Sequence, residues 1–546
     1  MASSHLVTAF ALGVCAHLGI FIRGEWHIQA PWILLSHVVS FEGLVVLFMY
    51  HDSLSFSESL AGARTLFTSY VLGLILSIAT YRLYFHRLAK FPGPRLVSLT
   101  KLWHVWKCRD SKNHEVLTDW HQAYGTFVRT GPNELTIFHP SALEVLDGPK
   151  NHNQRSDWYD ILFPKIFSIF SRNVAVHDER RKLWDTAMSA GRLPQYFSRI
   201  QRQVQIFDNV INESLGQPVL MNDLVSWFAF DCMGDFGFGQ VLGMMKSRRW
   251  LDAIIYMRSS WALLGVFTPA IWLPRIAFTL FPIWIVRDWL KALEFSESLL
   301  ETRLKEDRDD KDIVSEFIRE WRRQGSSDKD KLDYVKLSGD ASVLLFTGTD
   351  TTSGSLTIAL YHLACHPDHV ATIQKELDGV DITDVSALKS LKHLTGTINE
   401  SMRLLPAALT TSPGSRRTPP EGLTVDGTFI PGGVNICTSR YVIGRLSSAY
   451  EDPESFVPER WYSKPEMVKD KRAFAPFGIG RYGCVGKAIA MTQLRLVIAC
   501  LLSKYNISFA PGEGMGEAVE RDMKDQTTAH PGNLVLVFEK RGTHQK

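Results

Sequence analysis

A mainly α body with small β-sheets, preceded by N-terminal transmembrane helices, is the fold class this sequence predicts, and three observations predict it. The first ninety residues hold three apolar runs near the spanning length of about 20 residues. From about residue 140 onward the pattern is mostly helical. Strand signals are few and short: a pair turned at Gly131-Pro-Asn133 within Phe127–Phe138, and a hairpin around Asp426-Gly427. The chain has 546 residues and a formal charge of +3, so there is no electrostatic case for nucleic acid. Seven cysteines lie scattered without CxxC pairs, which argues for reduced thiols in a cytosol-facing body.

The apolar runs are residues 6–22, 31–50 and 65–84. The third is the cleanest, whereas the second carries His37 and Glu42. No basic start and no small-residue cleavage pattern accompany the first, so a retained anchor is expected and not a removed signal. Arg82, Arg87, Lys90, Arg95 and Lys101 crowd the exit of the third run, while the stretch His51–Ala63 holds two acids and no Lys or Arg. By the positive-inside rule the large body faces the cytosol. Three spans would leave the N-terminus lumenal and put the loop with Arg23 in the cytosol; a single span over 65–84 with two interfacial segments is the other reading. Residues 1–90 form the anchor in this division and 91–546 the catalytic body. Phe91-Pro-Gly-Pro-Arg95 is the hinge, because two prolines stop a helix and fix an extended exit.

Within the body, His177 and Arg181 stand four apart at the start of one helix, which by itself reads as a solvated basic face. Trp261–Trp289 is apolar but interrupted by Pro269, Pro274, Arg275 and Pro282, so it reads as helix–loop–helix, in the core or dipping into a membrane surface. Glu301–Lys336, rich in mixed charge, is expected to be a solvated helical face and loop. Asp340–Cys365 is the longest helical pattern. It contains a polar island, Phe346–Gly354, in which Gly348 and Gly354 cost helix stability and an enclosed Asp350 needs a partner or water. Two readings stay open. The helix is opened beside a small ligand with Asp350 and Thr351 holding water, or the hydroxyls bond back within an ordinary kinked helix. Leu394–Leu405 is a helix ended by Pro406, and its Glu400 and Arg403, three apart, form what is by default a surface pair.

Ala473–Ala490 organises the rest. Gly478, Gly480 and Gly483 clear side chains from a loop that can lie against something large and flat. Cys484 follows, then Gly486 and a helix over Lys487–Leu502, whose N-terminal charge favours a thiolate. No second Cys or His stands at zinc spacing, so a lone thiolate suits one axial bond to a planar metal macrocycle; a buried structural Cys in a glycine-rich turn is the alternative.

Four motifs in order resemble the cytochrome P450 monooxygenases: Thr347-Gly-Thr-Asp-Thr-Thr352, Glu400-x-x-Arg403, Pro458-Glu-Arg460 and Phe477-x-x-Gly480-x-x-x-Cys484-x-Gly486. The resemblance covers roughly residues 90–540 and is nearest the fungal, endoplasmic-reticulum-bound members that decorate secondary metabolites. It implies haem b with Cys484 as the axial ligand of the iron. It implies proton relay by Asp350 and Thr351, with Gly348 opening the helix beside them. Glu400, Arg403 and Arg460 become a buried ionic lock, and His177, Arg181 and Arg417 become partners of the haem propionates. Phe477, Arg481, Tyr482 and Gly486 complete the cofactor contacts. Two positions depart from the family: Tyr482 stands where Arg or His is usual, with Arg481 one step earlier, and Thr347 replaces a small residue. With no nucleotide-binding fingerprint in the chain, electrons are expected from NADPH through a separate NADPH–cytochrome P450 reductase. The other partners implied are O2, a small apolar organic substrate and membrane lipid, with the catalytic domain on the cytosolic face of the endoplasmic reticulum. A lyase or isomerase of the same fold that uses no O2, and a haem carrier or sensor, are the competing readings. Substrate contacts are expected in Ser156–Phe170, Trp261–Trp289 and Leu405–Ser415.

Overall fold

The computed structural model describes residues 3–149, 152–161, 163, 170–281, 284–306, 311–323, 331–410 and 415–542. Three N-terminal helices are long and apolar enough to cross a membrane: Ser3–Phe21, Ala30–Tyr50 and Phe56–Phe85. The third begins well before the residue 65 that hydropathy suggested. Ser55 and Glu58 form a capping box that starts it at Phe56, so the preceding connection shrinks to a few residues. The first and third helices touch closely at Gly13 and Gly73, where any added Cβ would strike the backbone of Tyr70 or Phe10. Ser69 Oγ donates to Leu6 O at 2.8 Å and His17 Nδ1 lies 2.8 Å from Ser77 Oγ. Contact residues rise together along both chains, so these two helices run parallel.

The exit of the third helix is tied into the body. Leu88 and Phe91 are buried with Leu135, Ile137 and Ile436, and Arg87 donates to Gly432 O. The main sheet has five strands in the order Phe127–Gly131, Glu134–Ile137, Asn435–Cys437, Arg416–Arg417 and Gln154–Arg155. The Asp426-Gly427 hairpin is present, with both residues at positive φ (47° and 71°), as a twisted two-residue turn requires. Near the C-terminus, Lys524–Gln526 and Thr528–His530 form a second hairpin whose turn residue, Thr527, has φ 69°.

The body is built around the 35-residue helix Lys331–Cys365, packed against Met221–Cys232, Trp284–Lys305 and Lys487–Lys504. The Trp261–Trp289 region is the expected broken helix. Asp252–Phe267 ends in a short turn at Thr268–Ala270, which contains Pro269, and Trp272–Leu280 follows and packs against the second N-terminal helix. One expectation fails. Part of the charged stretch Glu301–Lys336 is buried, because its charges pair with each other and with a neighbour: Arg303 Nε donates to Asp312 Oδ2 at 2.8 Å, and Arg192 bonds Glu316.

Candidate active site

The cysteine loop holds its shape through backbone bonds. Cys484 N–H donates to Phe477 O at 2.8 Å and Gly483 N–H to Gly480 O at 3.1 Å. Gly480 is needed for two reasons: its φ is +64°, and a Cβ there would collide with Asp147 O. Gly486 then caps the helix Lys487–Lys504. Cys484 is exposed to solvent, although protein crowds its Sγ. That enclosure is the largest influence on the thiol and pushes it up, against the N–H groups of Gly486 and Lys487 and the Arg181 guanidinium, which pull it down. The N–H groups at the helix start thus favour the thiolate, as the sequence leads one to expect, while burial opposes it.

Beside the loop lies a cradle for anionic groups. His177 is 1% exposed; its Nδ1 lies 3.0 Å from Asp178 Oδ1, and among the described residues its buried Nε2 has no hydrogen-bond partner. Its ring meets Tyr482 edge-on at 4.8 Å. Two guanidinium groups cover the same tyrosine, Arg155 at 4.2 Å and Arg416 at 4.7 Å from the ring centroid. Arg181 Nη1 donates to Gly483 O at 2.7 Å and to Arg481 O at 3.2 Å, so it braces the loop. Arg481 is about half exposed and lies 3.6 Å from Asp178. Phe477 sits under the Lys487 ammonium at 5.8 Å.

The expectation for Arg417 shifts by one residue. Successive strand residues point to opposite faces, so Arg416 turns toward Tyr482 while Arg417 turns away and pairs with Glu25 of the N-terminal segment. Arg155 was missed altogether; the pairing Arg155↔Arg416 across the sheet is what brings it in. A signal existed, since each of these arginines lies in a short polar strand, but nothing local states their partner. A buried imidazole nitrogen with no partner, flanked by two arginines, fits carboxylates such as those of a haem. Both arginines are already engaged by protein: Arg416 Nε donates to Asp147 Oδ1 at 2.7 Å and its Nη1 to the Tyr159 hydroxyl at 2.6 Å, and Arg155 Nη1 donates to Ser171 O at 2.9 Å.

Across the cleft, the long helix stays helical through Phe346–Gly354. Thr347, Thr349, Thr351, Thr352 and Ser355 each bond back to the carbonyl four residues earlier, Thr351 Oγ1 to Thr347 O at 2.7 Å. The second of the two readings of this island therefore holds for its hydroxyls. Gly348 does not open the helix. The space its side chain would take is filled by Met233 Cε, so it serves the packing of this helix against the next.

Thr347, Asp350 and Thr351 nevertheless line a cavity of about 310 Å³ whose walls are aromatic: Trp158, Tyr159, Phe170, Trp261, Trp289 and Phe346. Two of the three segments expected to touch substrate supply most of that wall, and Ala408 of the third contributes too. Residues 162, 164–169, 282–283 and 411–414 of those segments lie outside the described residues. Asp350 bonds Thr528 Oγ1, which lines the same cavity, and lies 3.2 Å from His530 Nε2, which does not. Enclosure alone would raise its carboxyl, but His530, Thr528 and the Arg258 charge outweigh that and hold it below the usual carboxylate range.

Below, Glu400, Arg403 and Arg460 are not a surface set. All three side chains are fully buried. Arg403 grips Glu400 with Nε and Nη2 at 2.9 and 2.8 Å, and Arg460 Nε donates to Glu400 Oε1 at 2.8 Å.

Known proteins resemble this chain along most of its length. The family profile described as Cytochrome P450 matches residues 92–536. The chain is 32% identical to cytochrome P450 monooxygenase notG' of Aspergillus versicolor, over 97% of each chain. It is 31% identical to tryprostatin B 6-hydroxylase of Aspergillus fumigatus, over 94% of this chain and 92% of that one. Among solved structures, the haem domain of cytochrome P450DA superposes with a TM-score of 0.66 at 16% identity, covering 80% of this chain and 95% of the other.

Proposed function

The chain belongs to the cytochrome P450 family, and we propose that it is a membrane-anchored haem monooxygenase that places one atom of O2 into a small apolar molecule of secondary metabolism. The observation that carries this reading is a lone cysteine in a glycine-shaped loop braced by Arg181 beside the unpartnered His177 nitrogen, together with an acid–alcohol pair that lines an aromatic cavity. Haem, when bound, supplies the oxygen-activating redox chemistry. Cys484 would hold its iron. His177 Nε2, Arg155 and Arg416 would receive its carboxylates, in the place of Arg417. The aromatic walls exclude bulk water and orient an apolar substrate. Thr351 Oγ1 can accept a hydrogen bond from a cavity water while it donates to Thr347 O. Asp350, one residue earlier, does not share its face, so protons pass between the two through water.

Electrons would come from NADPH through a separate reductase, with the body on the cytosolic side of the endoplasmic reticulum. Two features support three spans. The first and third helices run parallel, and the connection after the first reaches the body: Glu25 pairs with Arg172 at 2.8 Å and with Arg417, and His27 lies 2.9 Å from Asp160. That connection then lies on the same side of the membrane as the body.

The test is product formed per NADPH in Thr351→Ala, with peroxide measured in parallel. Loss of a positioned proton-transfer group typically costs about 10²–10⁴-fold. Product should fall while NADPH use persists as peroxide. Product formed without NADPH and O2, equally by wild type and variant, would replace the monooxygenase with the lyase.

A further inference from the structure

We infer that His530 carries protons from solvent to Asp350, which makes the C-terminal hairpin a relay behind the cavity wall. The inference rests on Asp350 being the proton-delivering acid of the preceding section. Asp350 lines the aromatic cavity and is otherwise enclosed, its side chain 13% exposed, so a carboxylate that delivers protons there gains from resupply through its other contacts. Its rear oxygen, Oδ2, meets His530 Nε2 at 3.2 Å and Thr528 Oγ1, and Thr528 Oγ1 lies 3.1 Å from the same Nε2. These contacts use one ring nitrogen only. Nδ1 has no partner among the described residues and is not among their buried, unsatisfied atoms, so it is open to water, and the side chain is 18% exposed.

Hairpin register sets the direction of the route. The turn, Thr527, and Thr528 line the cavity, whereas His530 does not; it pairs across the hairpin with the exposed Lys524. The hairpin therefore runs from the cavity at its tip to solvent at its base, with the imidazole between. Charged groups around it are Asp350 on the long helix, Asp525 and Lys524 on the paired strand, and Arg258 on the helix Asp252–Phe267, which packs on that strand. In the transfer, hydronium from solvent gives its proton to Nδ1, water is released, and the imidazolium passes its Nε2 proton to Asp350 Oδ2. The ring is left neutral with hydrogen on Nδ1; the side chain must then swing Nε2 out to water, where loss of the Nδ1 proton and uptake at Nε2 restore the starting tautomer. One proton enters from solvent and one reaches Asp350. Histidine suits this because its two nitrogens can accept and donate at once.

The experiment uses holoenzyme with reductase, 7-ethoxycoumarin as an apolar probe, and the variants His530→Gln, His530→Asn and Asp350→Asn. Gln and Asn retain a donor for Asp350 but cannot pass a proton. NADPH oxidised, O2 consumed and peroxide released are followed in H2O and D2O, beside the Soret shift on probe binding and thermal melting. The relay predicts a peroxide share of consumed O2 raised about twofold or more and an altered solvent isotope effect. It also predicts probe affinity within about twofold of wild type, and melting shifts for His530→Gln and Asp350→Asn that fail to add in the double variant, as for groups in contact. Wild-type peroxide share and isotope effect in both His530 variants, with Asp350→Asn altered, would overturn the relay alone. An Asp350→Asn enzyme that behaves as wild type would overturn the Asp350 assignment and the relay with it.

Discussion

Replacing Glu400 by Gln tests the packing beneath the site. The Glu400 carboxylate is fully buried and accepts five hydrogen bonds: two from Arg403, one from Arg460 Nε, and one each from Val457 N–H and Trp461 Nε1, both at 2.9 Å. It is the one anion in the cluster against two guanidiniums, whose remaining N–H groups go to backbone carbonyls of Gly444, Glu451, Asp452, Pro453 and Ser455. Gln keeps the shape but removes the charge and turns an amide N–H₂ toward a donor. Breaking such a buried pair from one side costs about 3–5 kcal/mol. At a urea slope near 3 kcal/mol/M, suited to a large domain, the unfolding midpoint should fall by roughly 1 M. Tryptophan fluorescence and the reduced carbon monoxide spectrum, followed together, give the midpoint. Asp522→Asn, at the exposed Arg521–Asp522 pair, should leave it unmoved. A Glu400→Gln midpoint indistinguishable from wild type would refute the claim that the cluster locks the fold.

Three further outcomes follow from the same geometry. Gly480→Ala should prevent haem uptake, because its Cβ would collide with Asp147 O at a φ that alanine resists; pigment bound per protein measures this. Burial pushes the Asp525 carboxyl up to about 7, with Thr410 and His530 opposing, so its contribution to stability is full below about pH 4 and is lost as pH rises to 7. Asp525→Asn should remove that slope and gain on wild type by up to roughly 4 kcal/mol between those pH values, read from urea titrations. A chain beginning at His86 should fold with the wild-type spectrum, whereas Leu88→Ala in it should cost about 2–5 kcal/mol, since Leu88 is fully buried in the body.

What was legible in the sequence was local. The cysteine loop could be read because positive-φ glycines and a helix start are properties of adjacent residues, and the long polar-centred helix because its pattern is continuous. What lay across space could not. Glu400 and Arg403 sit three apart whether that face meets water or Trp461, and only the packed fold shows Trp461 there. Two neighbouring arginines in a strand carry no mark of which points inward; the fold turns Arg416 toward Tyr482 and Arg417 toward Glu25. Gly348 announced a missing side chain but not that Met233 fills the room. Asp350 called for a partner, and its partners, Thr528 and His530, lie about 180 residues away on a hairpin.

The central claim is that Cys484 is the protein ligand of the haem iron, and the reduced carbon monoxide spectrum tests it most directly. Wild type should show the red-shifted Soret band of thiolate ligation, and Cys484→Ala should lose it while the apoprotein's tryptophan fluorescence and urea midpoint stay near those of wild-type apoprotein, since Cys484 is exposed. A Cys484→Ala protein that retains the red-shifted band would contradict the account.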